Sequence, residues 1–378
     1  MKSFAEKMIR WQDSHGRHHL PWQNTRDPYA IWLSEIMLQQ TQVVTVIPYY
    51  LRFLQRFPDI QSLASASPDD VLAQWSGLGY YSRGRNLHRA ARLVVTDHSG
   101  IFPREVEVIR QLPGIGRSTA AAIAVFAYGA RCAILDGNVK RILARCFGID
   151  GYPGERKTET LLWQKAQELL PQQTGQDEKG VNGGIEVYTQ ALMDLGATVC
   201  TRGKPKCALC PLRHDCVAFR NDAVARLPAP RPRKPLPERE TVLLMIMTHG
   251  KILLEKRPAR GIWGGLWCLP EMQVSEDAIE YCARRFGIEV KPLPPTSPFV
   301  HTPFVHTPFI HTFTHFRLRI YPRTLEPGSS PSATTQDHAG VESIWATVDD
   351  ALKAAIPAPV SKLLNMASGS QNVGKNHG

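Results

Sequence analysis

Residues Leu112–Arg141 read LPGIGRSTAAAIAVFAYGARCAILDGNVKR, and the fold expected for the chain follows from this stretch. A helix over Val106–Leu112 should end at the proline that comes next, because the residue before a proline is driven out of the helical region. Gly114 and Gly116 then permit a tight turn, since glycine tolerates positive φ. The apolar run Ser118–Phe126 predicts a second helix. The stretch is therefore predicted to form two helices joined by a Gly-x-Gly hairpin.

An acidic residue and a basic helix follow the hairpin. The amide groups of such a turn, with the positive end of the helix behind it, can converge on a phosphate. Asp136 precedes a predicted helix that carries Lys140 and Arg141. Each feature alone has a simpler interpretation, because PGxG turns are common and an aspartate before a helix is most often its N-cap. Together they indicate a phosphate-binding surface beside a carboxylate.

The composition of the chain indicates a polyanionic partner. The 378 residues carry a formal net charge of +11, with a pI near 9.3, which favours nucleic acid over a membrane surface. The N-terminus lacks the apolar core of a secretory signal. The longest apolar run, Thr119–Ala130, is shorter than the roughly 20 residues that span a bilayer. We expect a soluble intracellular protein of two or three domains, located in the cytoplasm and, in a bacterium, at the nucleoid.

A second carboxylate lies on a predicted helix over Tyr29–Val46. Asp27 and Pro28 form a good helix start, as N-cap and first helical residue. Glu35 has mostly apolar neighbours three and four positions away, so it lies on an apolar stripe. A glutamate is seldom buried unless it is paired or functional. The alternative is a glutamate at the edge of the stripe, in water.

A glycine-rich segment, Gly77–Arg85, reads GLGYYSRGR and is predicted to separate two helices within residues 59–100. Glycines let the backbone approach a ligand closely, and tyrosines and arginines can stack on bases and contact phosphates. A helix–helix turn with packed aromatic side chains is the alternative interpretation.

Four of the eight cysteines are clustered as Cys200-x6-Cys207-x2-Cys210-x5-Cys216. In a reducing compartment such clustering indicates a metal site. A four-thiolate zinc site is the alternative, but zinc sites usually pair two Cys-x-x-Cys motifs and this loop has one. The spacing therefore favours a [4Fe–4S] cluster. The first loop also carries three basic residues that are predicted to face phosphate: Arg202, Lys204 and Lys206.

The pattern changes after residue 221. Asp222–Glu240 contains five prolines and is predicted to be a semi-rigid linker. Residues 241–366 are predicted to form an α+β domain, followed by a disordered tail over 367–378. Strands are predicted at Thr241–Thr248, Ile252–Leu254, Phe316–Tyr321 and Val341–Ala346, and a helix at Glu276–Phe286. The pentads PFVHT, PFVHT and PFIHT at 298, 303 and 308 indicate a locally duplicated loop, because three such copies are too short for a solenoid.

These features together resemble the helix-hairpin-helix DNA glycosylases that carry an iron–sulfur cluster, and within them the enzymes that act on adenine. The resemblance rests on LPW at 20–22, WLSEIMLQQTQV at 32–43, GLGYYSRGRNLHRAA at 77–91, LPGIGRSTAAAI at 112–123, ILDGNVKR at 134–141 and the cysteine loop. It implies a mainly α-helical helix-hairpin-helix domain with a [4Fe–4S] loop over 1–221. A linker over 222–240 and an α+β Nudix-like domain over 241–366 should follow.

The chemistry of base excision fits the two acids. The leaving base must be protonated and the cationic sugar stabilised, which requires one protonated and one ionised carboxyl group. The resemblance implies that Glu35 protonates adenine at N7 and then activates water, that Asp136 stabilises the oxocarbenium ion, and that Asn138 and the Ser118 hydroxyl assist. Ser118 stands where the related endonuclease III enzymes have the lysine that cuts the strand. The chain is therefore expected to be monofunctional, with Lys140 as an adventitious substitute nucleophile.

The resemblance also implies the partner, which is double-stranded DNA with adenine opposite 8-oxoguanine or guanine, bound by a monomer. The adenine must leave the duplex to reach the acids. The side chains implied in binding are Leu20 and Trp22 in the adenine pocket, Gln40 and Tyr80 as wedges in the helix, and Thr41 and Leu78 beside the opposite base.

The C-terminal domain resembles the Nudix fold without its metal site. Gly265–Glu271 fits the start of the Nudix signature, but Ile279–Gly287 has arginines and alanine where the paired metal-binding glutamates should be. We expect this domain to read bases and not to hydrolyse nucleotides. Phe313–His315 lies where the family has a Phe-Ser-His loop that contacts 8-oxoguanine. Thr314 and His315 are therefore expected to contact the lesion.

Three alternative functions make distinct demands on the sequence. An endonuclease III-like glycosylase/lyase needs a lysine at the hairpin, where this chain has serine. A non-catalytic mismatch-binding protein does not need both Glu35 and Asp136. A nucleotide hydrolase needs the missing glutamates.

Overall fold

The structure is a computed structural model, and it describes residues 3–172, 183–232, 235–293, 307–328, 336–338 and 341–368. Most of the predicted tail and of the first two pentads lies outside these residues. The chain divides into two compact units. The first unit contains the residues up to Ser65 and from Asn86 to the middle of the predicted linker, and the second contains Ala66–Arg85 and the chain from Lys234 onward. Within the described ranges, no helix is long and apolar enough to cross a membrane.

The first unit is helical. In chain order, the helices before the linker are α1 (Phe4–His15), α2 (Pro28–Leu38), α3 (Val43–Arg56), α4 (Ile60–Ser65), α5 (Pro68–Trp75), α6 (Ser82–Asp97), α7 (Val106–Ile109), α8 (Arg117–Tyr128), α9 (Gly137–Phe147), α10 (Arg156–Glu168), α11 (Gly183–Thr198) and α12 (Val217–Arg220). Short 3-10 helices lie at Pro21–Gln23 and Cys207–Leu209. Of these elements, α5 and the first turn of α6 belong to the second unit.

The predicted helical hairpin is formed by α7 and α8. α7 ends at Ile109, earlier than predicted, because the chain continues in a tighter turn in which the Leu112 amide donates to the Ile109 carbonyl at 3.1 Å. Gly114 has a φ of +81°, and a Cβ on it would lie 2.8 Å from the Cβ of Asn86, so glycine is required there. α8 is buried along Ala120–Val125 and packs against α2. The buried helix α8 thus brings the hairpin against α2.

The prediction of one continuous helix over Tyr29–Val46 is wrong. α2 ends at Leu38 and α3 begins at Val43. Between them, Gln40 has a φ of +58°, which interrupts the hydrogen bonding of a right-handed helix. The amide of Thr41 instead donates to the carbonyl of Leu38 at 3.3 Å and closes a turn. The run of amide side chains therefore lies on a loop at the carboxyl end of α2.

The segment Ala66–Arg85 packs on the second unit, although the sequence suggested a division near residue 221. Leu72 of α5 belongs to the hydrophobic core of that unit. Asp69 pairs with Lys256 at 2.7 Å, and both side chains lie in the second unit. The domain bounds expected from the sequence remain a prediction. The helical part of the chain nevertheless contributes one helix and one loop to the second compact unit.

The second unit is an α+β domain, as predicted. In the described residues its strands are β1 (Glu238–Thr248), β2 (Lys251–Lys256), β3 (Trp267–Cys268), β4 (Glu271–Met272), β5 (Val290–Pro292), β6 (Phe309–Thr312), β7 (Arg317–Pro327), β8 (Gln336–His338) and β9 (Val341–Thr347). Their order is β5-β7-β1-β2-β9-β8, with β3, β4 and β6 paired at the sides. β1 and β7 are parallel, with Val242 opposite Tyr321, and the other pairs are antiparallel.

Both faces of this sheet are covered, and β1 shows why. Val242, Leu244 and Ile246 point into one core, and the alternating residues Leu243 and Met245 point into the other, as the two-residue period of a strand requires. Three helices cover the faces: α13 (Ala278–Phe286), α14 (Val348–Lys353) and α15 (Ala358–Ala367). Residues of α13 join the first core, and residues of α14 and α15 join the second. The near-continuous apolar run of β1 follows from this double burial.

A fully buried carboxylate stabilises the start of the first unit. Asp194 of α11 accepts hydrogen bonds from the amide, Nε and Nη2 of Arg17 at 2.7, 2.8 and 2.6 Å. The side-chain amides of Gln12 and Gln190 donate to it at 3.0 and 2.9 Å. Because these five hydrogen bonds reach both oxygens of the Asp194 carboxylate, its buried charge is compensated. Asp194 thereby joins the segment after α1 to α11.

Asp194→Ala should therefore destabilise the protein by about 3–5 kcal/mol, because it leaves the half-buried Arg17 guanidinium and the Gln12 and Gln190 amides without their acceptor. The measurement is the free energy of unfolding from denaturant titration. Glu168→Ala is the matched control, since Glu168 pairs with Lys165 on the surface of α10 and is 61% exposed. An exposed pair is worth less than about 1 kcal/mol. Equal destabilisation by the two substitutions would contradict the role given to Asp194.

Candidate active site

A pocket of about 1340 Å³ opens in the first unit. It is lined by α2 and the loop after it, by the N-termini of α8 and α9, by the segment around residues 17–26, and by α11. Eight residues that the sequence singled out lie in its wall: Leu20, Trp22, Glu35, Gln40, Thr41, Ser118, Asp136 and Asn138. These residues come from four separate parts of the chain, so the fold brings together what the sequence motifs indicated one by one.

Glu35 lies on α2 and is partly buried in the pocket wall. Burial, followed by the nearby charge of Asp136, raises the pKa of Glu35 from its ordinary value to about 8. Loss of water disfavours the charged form of a carboxyl group, and a neighbouring negative charge adds to that effect. Glu35 is therefore predominantly protonated at neutral pH and can deliver a proton into the pocket.

Asp136 is the N-cap of α9, and its carboxylate accepts a hydrogen bond from the Val139 amide at 2.8 Å. Burial raises the pKa of Asp136, but hydrogen bonds from Val139 and Asn138 and the positive charge of Arg141 oppose that rise. The hydrogen bonds and the helix N-terminus stabilise the anion. Asp136 is therefore the member of the pair that ionises first, and its charge then keeps the proton on Glu35.

Ser118 and Asn138 organise the surroundings of Asp136. The hydroxyl oxygen of Ser118 accepts a hydrogen bond from the Leu135 amide at 2.9 Å, which places the residue just before Asp136 against α8. The side-chain oxygen of Asn138 accepts from Arg141 Nη2 at 2.8 Å. Both side chains therefore have a positioning contact in addition to their place in the pocket wall.

The two cations predicted to face DNA from α9 are engaged within the protein. Lys140 pairs with Glu159 at 2.6 Å. Arg141 donates to the carbonyls of Cys200 and Gly196 at 2.7 and 2.8 Å, in addition to its bond to Asn138. These contacts give Arg141 a structural role between α9 and the cysteine loop. Phosphate binding by either residue stays a prediction, and for Lys140 it would require release from Glu159.

Arg145 of α9 has a structural role that the sequence did not indicate. It is 3% exposed and donates to the carbonyls of Leu227 and Thr201 at 2.8 and 2.7 Å. Its Nη1 also lies 3.4 Å from the sulfur of Cys200. Basic residues on an amphipathic helix are usually solvated. The position of Arg145 in the sequence therefore did not predict that its side chain is buried. Arg145 holds the cysteine loop and the linker against α9.

The four clustered thiols are near enough for their charges to interact. Burial raises the pKa of Cys210 to about 12, with added contributions from the charges of Cys200, Cys216 and Cys207. Burial and the charges of Cys200 and Cys207 also raise the pKa of Cys216, while the backbone amides of Phe219 and Ala218 oppose the rise. In the part of the chain that the structure describes, however, no three His, Cys, Asp or Glu side chains stand close enough to hold a metal ion as they are.

The remaining predicted DNA contacts on the first unit are exposed. Gly114 and Gly116 lie on the surface of the hairpin, and a Cβ on Gly116 would meet no atom within 4 Å. The side chains of Arg202, Lys204 and Lys206 are also exposed. Phosphate binding by these exposed positions stays a prediction.

Four predicted substrate contacts belong to the second unit. Leu78 is 5% exposed and packs within that unit, whereas Tyr80 is 47% exposed. Thr314 and His315 are exposed on the turn between β6 and β7, where the Thr314 hydroxyl lies 3.1 Å from His315 Nδ1. The pocket residues all lie in the first unit, so the predicted contacts fall into two groups.

Two ion pairs occupy the region where a Nudix hydrolase would bind metal. Arg285 pairs with Glu255 at 3.0 Å, and Arg257 forms a close pair with Glu271. The Thr241 hydroxyl also donates to Glu271 at 2.7 Å. The carboxylates near the altered signature are thus paired with arginines, and the absence of a Mg²⁺ site there stays a prediction.

The pocket also contains an ion pair that the sequence analysis missed. Arg26 Nη2 lies 3.0 Å from both carboxylate oxygens of Glu186, and both residues line the pocket. Burial raises the pKa of Glu186, and Arg26 opposes the rise. The two residues are 160 positions apart. A pairing over that distance leaves no local pattern from which it could be predicted.

Comparisons with known proteins give the class of this architecture. Residues 33–168 match the HhH-GPD superfamily of base excision DNA repair proteins, and residues 241–366 match the NUDIX domain. The structure of a thermostable thymine-DNA glycosylase superposes with a TM-score of 0.51 at 29% identity, covering 58% of this chain and 95% of that one. The helical unit therefore has the fold of a helix-hairpin-helix glycosylase, joined to a Nudix-like domain.

Sequence similarity to curated proteins identifies the family within this class of glycosylases. The adenine DNA glycosylase of Buchnera aphidicola subsp. Acyrthosiphon pisum is 35% identical over 362 residues, which cover 96% of each chain. The human adenine DNA glycosylase is 33% identical over 432 aligned positions, covering 98% of this chain and 74% of the human protein. This chain belongs to the adenine DNA glycosylase family.

The interaction between the two acids can be measured without catalysis. Asp136→Asn should lower the pKa of Glu35 from its value near 8, because the negative charge that opposes ionisation is removed. The measurement is a pH titration of the Glu35 carboxyl carbon by NMR in selectively labelled protein. Asp97→Asn is the control, since Asp97 is exposed on α6. An unchanged Glu35 pKa in Asp136→Asn would show that burial alone holds the proton.

Proposed function

We propose that this protein is a monofunctional glycosylase that excises adenine opposite 8-oxoguanine or guanine in double-stranded DNA. The observation that carries the proposal is the unequal acid pair: the charge of Asp136 adds to burial in keeping a proton on Glu35 near neutral pH, whereas hydrogen bonds and Arg141 oppose the rise that burial causes in the pKa of Asp136. One protonated and one ionised carboxyl group are what the cleavage of an N-glycosidic bond requires. Family membership supplies the substrate base, adenine.

The chemistry begins with the base outside the duplex. A pocket of about 1340 Å³ has room for an extruded nucleotide. Leu20 and Trp22 offer apolar surface to the purine; Trp22 is kept in place by an edge contact with Tyr50 at 5.5 Å between ring centroids. Glu35 protonates adenine at N7, which makes the base a better leaving group. The same residue, once deprotonated, accepts a proton from the attacking water.

Positive charge develops on the sugar as the bond to the base lengthens. Asp136, held at the N-terminus of α9, provides a fixed negative charge for the oxocarbenium ion and needs no reorganisation to do so. Asn138 and Ser118 maintain the carboxylate position through their contacts to Arg141 and Leu135. The proposed roles are thus general acid for Glu35 and electrostatic stabiliser for Asp136.

The residues of the pocket favour hydrolysis without strand cleavage. A lyase needs an amine that can attack the sugar. Ser118 occupies the hairpin position where that lysine would stand, and no lysine occurs among the described residues that line the pocket. Lys140, the substitute considered from the sequence, is held by Glu159. These contacts disfavour the endonuclease III-like alternative.

A [4Fe–4S] cluster held by Cys200, Cys207, Cys210 and Cys216 is part of the proposal. Backbone amides donate toward the sulfurs of Cys210 and Cys216, and such hydrogen bonds favour the thiolate form that a cluster requires, against the burial that raises the pKa of both thiols. When bound, such a cluster would cross-link the loop and stabilise its fold. Arg141 and Arg145 connect that loop to the helix whose N-cap is Asp136.

The C-terminal unit is proposed to recognise the base opposite the adenine. The ion pairs of Arg285 and Arg257 with the remaining glutamates disfavour nucleotide hydrolysis. Thr314 and His315 present polar groups on an exposed turn and can contact the altered edge of 8-oxoguanine.

The proposed partner is double-stranded DNA, and the enzyme acts as a monomer. If the source is a bacterium, it acts in the cytoplasm at the nucleoid. The net charge of +11 favours that partner.

Glu35→Gln should bind duplex DNA with adenine opposite 8-oxoguanine but release no adenine, because an amide cannot deliver a proton. Asp136→Asn should likewise bind and fail in chemistry, since the developing cation loses its counter-charge. Single-turnover excision and equilibrium binding should be measured on the same duplex. Asp97→Asn serves as a control with normal values of both. Excision by Glu35→Gln at a rate near that of the unaltered protein would refute the acid assignment.

The reaction product provides an independent test. The unaltered protein should leave an intact strand with an abasic site that breaks only after alkali, because the pocket supplies no attacking amine. Denaturing electrophoresis with and without alkali separates the two outcomes. Strand breakage without alkali, together with a borohydride-trapped adduct that disappears in Lys140→Ala, would establish the lyase alternative.

A further inference from the structure

The exposed loop that carries Tyr80 is held in one conformation by the side chains of Trp75 and Arg83. Tyr80 has a φ of +45° and is exposed, and the residues on either side of it are half-buried. Arg83 donates to the carbonyls of Leu78 and Gly79 at 3.1 and 3.4 Å, and its guanidinium lies 5.5 Å from the rings of both Trp75 and Tyr80. The indole of Trp75 donates to Gly79 at 3.2 Å. The loop is therefore preorganised and does not depend on a ligand for its shape.

This loop is joined to a turn of the Nudix-like domain through Arg85. Arg85 Nη1 donates to the carbonyl of Gly264 at 2.5 Å, and the hydroxyl of Tyr81 donates to the carbonyl of Ile356 at 2.8 Å. Gly264 has no room for a side chain, because a Cβ there would lie 2.5 Å from the carbonyl oxygen of Ala259. The acceptor of Arg85 thus belongs to a tightly packed turn.

The same turn supports the loop that carries Thr314. Trp263, directly before Gly264, is held in the left-handed region with a φ of +57°. Its ring centroid lies 5.8 Å from that of Phe313 and 6.2 Å from that of His311. Phe313 in turn stacks on the buried Phe316 at 4.5 Å with an interplanar angle of 17°. A bulky residue at positive φ is strained, and this strain is sustained by the ring contacts.

We propose that Arg85 and Trp263 are positioning residues for opposite-base discrimination, which together hold the Leu78–Tyr80 loop and the Phe313–His315 loop on one turn of the second unit. The inference rests on the proposed function, in which these two loops meet the duplex around the opposite base. Neither Arg85 nor Trp263 needs to touch DNA. Each sets where a contacting residue lies, so a displaced loop would lose its bond to 8-oxoguanine without disturbing the acid pair.

The expected signature is a loss of preference with excision retained. Arg85→Ala should lower the ratio of excision rates for adenine opposite 8-oxoguanine and opposite guanine about tenfold, the change expected if one hydrogen bond to the lesion is lost. Trp263→Leu should lower the ratio by a similar factor. Excision opposite guanine should fall less than excision opposite 8-oxoguanine, since the guanine substrate never made the lost bond.

The experiment is single-turnover kinetics of the full chain on both duplexes, with matched controls from the same unit. Arg284→Ala removes an arginine that pairs with Glu276 on the surface and is 68% exposed, so it should leave the ratio unchanged. Trp345→Leu removes a tryptophan that packs on the other core and should also leave it unchanged. Arg85→Lys keeps a positive donor and should restore most of the preference.

A double-mutant cycle separates positioning from general stability. If Arg85 acts through the Phe313–His315 loop, Arg85→Ala should lower the ratio little further once Thr314→Ala is present, because the contact it positions is already gone. Additive effects, or an unchanged ratio in Arg85→Ala, would overturn the proposal. If Arg85→Ala does not fold, as judged by Tm, the same cycle with Trp263→Leu decides. Absence of excision by the unaltered protein on both duplexes would instead refute the proposed function itself.

Discussion

The burial of two carboxyl groups at one pocket is the interaction on which the rest of the site depends. Removing water from both acids disfavours both charges, but the fold supplies hydrogen-bond donors and a helix N-terminus to Asp136. Asp136 therefore ionises, and its charge raises the pKa of Glu35. The difference between the two acids arises from where the chain places α9, since aspartate and glutamate have similar ordinary pKa values.

α9 connects this pair with the cysteine loop. Its N-terminus holds Asp136, and its inner face carries Arg141 and Arg145, whose donors reach the backbone around Cys200. A loop that contains four cysteines is thus attached to the helix that positions the ionised acid. The arrangement explains why α9 is basic although Lys140 and Arg141 are engaged within the protein, since its cations organise carbonyl groups and a carboxylate.

The sequence was informative wherever the determinant is local. The proline and glycines before α8 mark the hairpin, and Asp136 before α9 reads as an N-cap, so both could be predicted from neighbouring residues. The break between α2 and α3 could not, because a glutamine at positive φ carries no local signal. Long-range contacts were equally hidden. The pairing of Arg26 with Glu186 and the packing of Ala66–Arg85 on the second unit depend on residues far apart in the chain.

The central claim is that the free enzyme reacts with Glu35 protonated and Asp136 ionised. Its most direct test is the pH dependence of single-turnover excision, with enzyme in excess of the duplex but below its dissociation constant, because that rate reports the ionisation of groups in the free protein. We expect the rate to fall about tenfold per pH unit above about pH 8, where Glu35 loses its proton. A rate that stays constant, or rises, between pH 7 and pH 10 while the protein remains folded would contradict the assignment of Glu35 as the acid.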